Sequence, residues 1–161
     1  MSEQEVEKIK TLFKKRNIPA KYLEHKEVIT SEDAARTRGF QLKQGIKAIL
    51  FKKENNEYII VNVPADKKVD LKKVAIFLIY PKNKINMASP EEVLEKTGCL
   101  IGSVPPFCHK EKIQLFVDTK IYDNEESSFN IGLRTHSVII KTKYVKDIFS
   151  FLNAVEGDFS T

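Results

Sequence analysis

Apolar residues recur at Val6, Ile9, Leu12 and Phe13, one face of a helix, behind a Ser2-to-Glu5 spacing that suits a capping box, so a first helix is predicted to about Arg16. Asn17-Ile18-Pro19 ends it. Lys21 to His25 reads as a short strand, and Thr30-Ser31-Glu32-Asp33 supply cap hydroxyls and an acidic first turn for a second helix that Gly39 stops. From Ile46 to Phe51 the chain is apolar except for Lys47, and after Glu54-Asn55-Asn56-Glu57 it is apolar again from Tyr58 to Val63, the pattern of a hairpin of two buried strands. Asp70 caps a helix carrying Leu71, Val74, Ala75 and Leu78, and Ile85 to Ala88 is a short strand. Ser89-Pro90-Glu91-Glu92 is the sharpest local signal: a hydroxyl at the N-cap, proline at the first helical position, glutamate at N3, and Gly98 at the stop. Strands follow at Ile113 to Val117, closed by Asp118, and at Ser137 to Lys141 after Phe129 to Arg134. Val145, Ile148, Phe149, Leu152 and Val155 form the stripe of a last helix ending at Gly157, with a frayed tail beyond. Helices and strands alternate irregularly and hairpin-length connections argue against a purely parallel sheet, which predicts the α+β class.

Composition narrows the function classes without choosing one. The 161 residues suit one domain, 1–161, with a single core. The net charge of +5 is spread over lysine pairs such as Lys67-Lys68 and Lys72-Lys73 among 22 acids, which permits a polyanionic partner without demonstrating one. Cys99 and Cys108 form no CxxC, so neither a disulfide framework nor a metal site is signalled, and no cofactor is implied. There is no apolar leader and no run of membrane-spanning length, so the expectation is a cytoplasmic protein with no membrane partner.

Two features carry candidate chemistry. Gly102-Ser103-Val104-Pro105-Pro106-Phe107 must be a rigid loop, because the prolines fix φ and remove donors while Gly102 opens conformations closed to other residues. It is either a stiff connection or a binding loop whose remaining amides face a ligand. Lys47 interrupts a strand that otherwise buries itself, and it either snorkels outward or holds an anion or a carbonyl oxygen in a cleft. His25, His109 and His136 have no nucleophile partner by spacing and read as structural or exposed.

Taken in order, the strand with Lys47, the hairpin into Val63-Pro64-Ala65-Asp66, the capped helix Ser89 to Gly98, the glycine-x-x-x-proline loop from Gly102 to Pro106, and Asp118 resemble the YbaK/prolyl-tRNA synthetase-associated editing domain family. Glu24-His25 and the glycine-arginine element Gly132 and Arg134 add to a resemblance running from about Tyr22 to Leu152. It implies a mixed, largely antiparallel, barrel-like sheet surrounded by helices. It implies too a freestanding deacylase serving translation fidelity, which hydrolyses the ester of mischarged tRNA, most typically tRNA for proline carrying alanine or cysteine. The partners it implies are the acceptor end of aminoacyl-tRNA and prolyl-tRNA synthetase.

In that frame Lys47 holds the terminal adenosine's phosphate or the substrate backbone. The amides of Gly102, Ser103 and Val104, stiffened by Pro106, meet the charge developing on the carbonyl oxygen, and the ribose hydroxyl of the tRNA helps to activate water. Thr30, Phe107, Asn130, Gly132 and Arg134 are the candidate substrate-binding residues, with core packing, helix capping and turn roles as their plain alternatives. The chain departs from the family's better-known branches at Ala48, where the cysteine-clearing branch is polar, at Ser137, where that branch carries an acid, and at Asn130, where the synthetase-inserted branch uses histidine. A non-catalytic tRNA-binding module of the same fold and a small-molecule esterase or amidase therefore stand as the competing readings.

Overall fold

The computed structural model describes residues 2–27, 36 and 41–161. Helix α1 (Ser2–Lys15) and strand β1 (Lys21–Glu24) precede the hairpin of β2 (Ile46–Lys53) and β3 (Tyr58–Pro64). There follow α2 (Leu71–Leu78), β4 (Ile85–Met87), α3 (Pro90–Thr97), β5 (Gln114–Asp118), β6 (Glu126–Leu133), β7 (His136–Lys141), α4 (Thr142–Phe151) and β8 (Val155–Gly157). The helix expected from Thr30 to Gly39 lies outside the described residues. No helix among those described is long and apolar enough to cross a membrane.

The strands make a five-stranded sheet ordered β4-β2-β3-β5-β8 and a three-stranded sheet ordered β1-β7-β6. The first is mixed: β2 is antiparallel to β3 and β4, whereas β5 is parallel to β3 and β8. The second is antiparallel throughout. Class α+β is thus confirmed, but the expected barrel is open: among the described residues the sheets are joined by a parallel bridge between Gly45 and Ser128 rather than by a continuous ladder.

Strand alternation explains how β2 and β3 can carry apolar residues on both faces. Ile46, Ala48 and Leu50 on β2 and Ile60 on β3 turn to a core shared with α1, α4 and the smaller sheet, through Ile9, Phe13, Ile148, Phe149, Phe129 and Val138. Ile49, Phe51, Ile59, Val61 and Val63 turn to a second core beneath α2, where Val74, Ala75, Phe116 and Phe159 meet. A strand covered on both faces needs no polar side.

The chain's end departs from expectation. The helix stops at Phe151, and Val155 belongs to β8, paired in parallel with Phe116 of β5. The tail is fastened rather than frayed: Phe159 is buried, and the buried Asp118 carboxylate accepts the Phe159 amide (2.8 Å) and the Ser160 hydroxyl (2.7 Å).

Candidate active site

Helix α3 delivers the chain to the proline loop. Ser89 and Glu92 form the reciprocal capping box, and the helix ends at Gly98, whose φ of +79° is a left-handed stop suited to glycine. Gly102 repeats that conformation at φ +87° and turns the chain into the loop.

Four carbonyls of the 101–106 segment are then held by side chains from elsewhere in the fold. Arg134 donates to the Ile101 oxygen through Nε (3.0 Å) and Nη2 (2.7 Å), and Asn130 Nδ2 donates to the Gly102 oxygen at 2.7 Å. His109 Nε2 lies 2.7 Å from the Pro105 oxygen, and Asn62 Nδ2 reaches the Pro106 oxygen at 3.4 Å and the Phe116 oxygen at 3.2 Å. Burial holds the His109 imidazole down at about 4, so it is neutral at pH 7, and its Nε2 carries the proton because a carbonyl only accepts. With the carbonyls anchored, the Gly102 and Val104 amides make no hydrogen bond among the described residues.

Ser103 does not share that role. Its amide (3.0 Å) and hydroxyl (2.7 Å) both donate to the Leu100 carbonyl, so its N–H is consumed by the turn that builds the loop. Phe107 is a second correction: it is fully buried in edge-to-face contact with Phe13, Phe129 and Phe149 at centroid distances of 5.6 to 6.5 Å, a core anchor for the loop rather than a pocket wall. Pro106 is buried as well, and the Val104 side chain packs on the same core. Thr30 lies outside the described residues.

The remaining candidates lie on β6, on the turn that follows it and on β2. Asn130 faces away from the core that takes Phe129 and Ile131, toward Gly102. Gly132 (φ +122°) sits in the irregularity between Asn130 and Leu133 that turns the strand toward Arg134, which also approaches Glu27 at 3.4 Å. Lys47 is half-buried, opposite Val63. It lies on the face opposite Ile46 and Ala48, and two residues along each chain from the Gly45–Ser128 bridge stand Lys47 and Asn130, so both occupy the same side of the sheets. That side is also occupied by Ser137, which pairs with Asn130 across β6 and β7.

One contact was illegible in the sequence. His25 Nε2 lies 2.7 Å from Ser137 Oγ, across 112 residues of chain, so His25 does have a hydroxyl partner. Asn62 was also missed, although a lone amide inside Tyr58 to Val63 is a readable sign of a buried polar task. The thiols are inert by comparison: burial pushes Cys99 up to about 12 and Cys108 up to about 11.

Residues 25–148 match the family model of the aminoacyl-tRNA editing domain, which is most of the chain. The chain belongs to this family. Within the editing-domain family, the multifunctional Ser/Thr-tRNA deacylase ProXp-y of Escherichia coli (strain K12) is 34% identical over 122 residues, covering 73% of this chain and 72% of that protein. A proline–tRNA ligase of Brachyspira hyodysenteriae is 30% identical over 119 residues, 74% of this chain but only 20% of the ligase, so the editing domain is there one part of a longer protein. A solved structure described as a candidate trans-editing enzyme for prolyl-tRNA synthetase superposes with a TM-score of 0.80 at 22% identity over 98% of this chain and 97% of that one. That likeness shows that the two chains share a fold.

Proposed function

We propose that this chain, read as one domain over residues 1–161, is a trans-acting deacylase that hydrolyses the ester between a small, wrongly attached amino acid and tRNA. The observation that carries the reading is the loop whose Ile101, Gly102, Pro105 and Pro106 carbonyls are tied back while the Gly102 and Val104 amides are left for a ligand. Ester hydrolysis builds negative charge on the carbonyl oxygen, and fixed amide donors aimed at that point lower the barrier because they need no reorganisation as the charge appears. Removing one donor of this kind costs about 10²–10³ in rate.

Lys47, on the same side of the sheets as Asn130, supplies a cation for the acceptor-end phosphate of the terminal adenosine. Water attacks the carbonyl carbon, the intermediate's oxygen rests on the two amides, and collapse breaks the bond to the ribose oxygen, giving free amino acid and tRNA. The family resemblance favours tRNA for proline carrying alanine or cysteine, with prolyl-tRNA synthetase as the source of the error. The deacylase relative at 34% identity adds serine and threonine to the range of small esters that the site would clear.

The test is release of amino acid from a panel of tRNAs charged with alanine, cysteine, serine, threonine or proline. The wild type is expected to clear one or more of the first four and spare prolyl-tRNA. Lys47→Ala should lower kcat/KM at least about tenfold, the scale of a lost charge-assisted contact. Tight tRNA binding with no hydrolysis of any ester would instead identify a binding module, and equal rates for wild type and Lys47→Ala would remove Lys47 from the site.

A further inference from the structure

Of the side chains that hold the loop's carbonyls, three come from the smaller sheet or from the loop's own continuation: Asn130 on β6, Arg134 in the turn after it, and His109 just past Phe107. Asn62 comes from the sheet that bears Lys47. It sits on β3 opposite Ala48 of β2, the neighbour of Lys47, and opposite Val117 of β5. It shares the face of Ile60, toward the core that takes Phe107, and so meets the end of the loop.

The amide is an odd choice for that place on stability alone. Its two N–H donors divide between the Phe116 carbonyl (3.2 Å) and the Pro106 carbonyl (3.4 Å), and because a carbonyl only accepts, the nitrogen must face them and the oxygen must face away. Asn62 is fully buried, and that oxygen accepts no hydrogen bond among the described residues. A buried acceptor without a donor destabilises a fold, whereas an apolar side chain of the same shape carries no such penalty. What the amide provides and leucine lacks is a fixed link from β3 and β5 to Pro106, the last proline of the loop.

We propose that Asn62 is a positioning residue for the hydrolysis: by tying Pro106 to β3 and β5 it fixes where the Gly102 and Val104 amides stand relative to Lys47, an inference that rests on the deacylase reading. It touches no part of the substrate. Ties from β6 and its turn alone would let the loop follow the smaller sheet, which the described residues join to the larger one through the Gly45–Ser128 bridge and not through a continuous ladder. Held from both sheets, the donors for the carbonyl oxygen and the cation for the phosphate keep one spacing, and misplacement by about 1 Å costs on the order of 10² in rate.

The test uses the full chain and measures single-turnover hydrolysis of whichever mischarged tRNA the panel identifies, together with melting curves and binding of uncharged tRNA. Asn62→Leu keeps the shape and removes the donor. Its expected signature is a melting temperature within about 3 °C of the wild type, tRNA binding within about twofold, and a saturated rate lowered by about 10- to 100-fold. Combined with Lys47→Ala, the loss should fall short of the product of the two single losses, because with the cation gone there is no spacing left to keep. Asn62→Val removes the donor in a smaller side chain and carries the test where leucine does not fold. Asn62→Asp restores a donor only while its carboxyl is protonated, so its rate relative to the wild type should fall as pH rises, whereas the ratio for the apolar variants stays level. A folded apolar variant that hydrolyses at the wild-type rate, or losses that multiply in the double variant, would overturn the positioning role. A wild type inactive on every ester would instead sink the deacylase reading itself.

Discussion

His109 shows how a single side chain ties stability to the loop. Its imidazole spends its one proton on the Pro105 carbonyl, and burial disfavours the charged form, bringing the group from an ordinary 6.5 to about 4. Below pH 6.5 the unfolded chain takes up a proton that the folded chain refuses, so this stabilisation is whole above that pH and is lost as pH falls toward 4. Between pH 7.5 and 5, above the window where the carboxylates titrate, the loss from this group is about 2 kcal/mol. Urea unfolding at the two pH values should show that loss in the wild type and a much flatter dependence in His109→Gln; parallel curves would mean that the ring is not held neutral. At this scale the sequence was legible for backbone and less so for side chains. Gly102 had to be a turn, but the direction in which Ser103 spends its amide and Phe107 its ring depends on Leu100 and on three phenylalanines from α1, β6 and α4, which no local pattern reveals.

Among the elements, α3 was the most legible and is the one on which the loop's position depends. An eight-residue helix is too short to be stable alone, so its ends and its contacts must hold it. Glu92 does both: one carboxylate oxygen accepts the Ser89 amide, while the other accepts the Tyr58 hydroxyl (2.7 Å) and pairs with Lys52 (3.0 Å). The Ser89 amide first, then Tyr58 and Lys52, hold its carboxyl down at about 2. Ser89→Ala should cost about 1 kcal/mol in urea unfolding, and Ser89→Asp, which keeps an acceptor, only a few tenths. An alanine variant as stable as the wild type would show that the cap is redundant with Glu92. The hairpin of β2 and β3 and the Asp70-capped α2 were also readable, because period, cap and turn signals coincide there. The end of the chain was not: Val155 suits a helix stripe, and only the parallel pairing of β8 with distant β5, with the buried Asp118 carboxylate waiting for Phe159 and Ser160, makes it a strand and fixes the tail.

For the whole molecule, the count of 27 lysines and arginines overstates the cationic surface available to RNA. Lys52 is paired with Glu92, Lys53 with Glu57, and Lys73 and Lys120 both with Asp158, whose carboxyl these two ammonium groups, Lys120 foremost, hold well below the usual range. Exposed Lys68, Lys72, Lys82 and Lys84, around α2 and the turn before β4, are left for phosphate contacts beyond the site. A footprint of about three phosphates gives a log–log salt slope of about −2.7, so affinity for tRNA should fall roughly forty-fold between 50 and 200 mM salt. The groups proposed to act on the ester respond differently. The Gly102 and Val104 amides are neutral dipoles fixed by the fold, and screening acts on exposed charges separated by more than about 10 Å far more than on a contact already made. Raising salt is therefore expected to raise KM steeply and leave kcat at saturating tRNA within about twofold. If kcat falls in step with affinity, the surface lysines take part in bringing the ester to the loop, and attachment of the RNA body and hydrolysis of its end are one event rather than two.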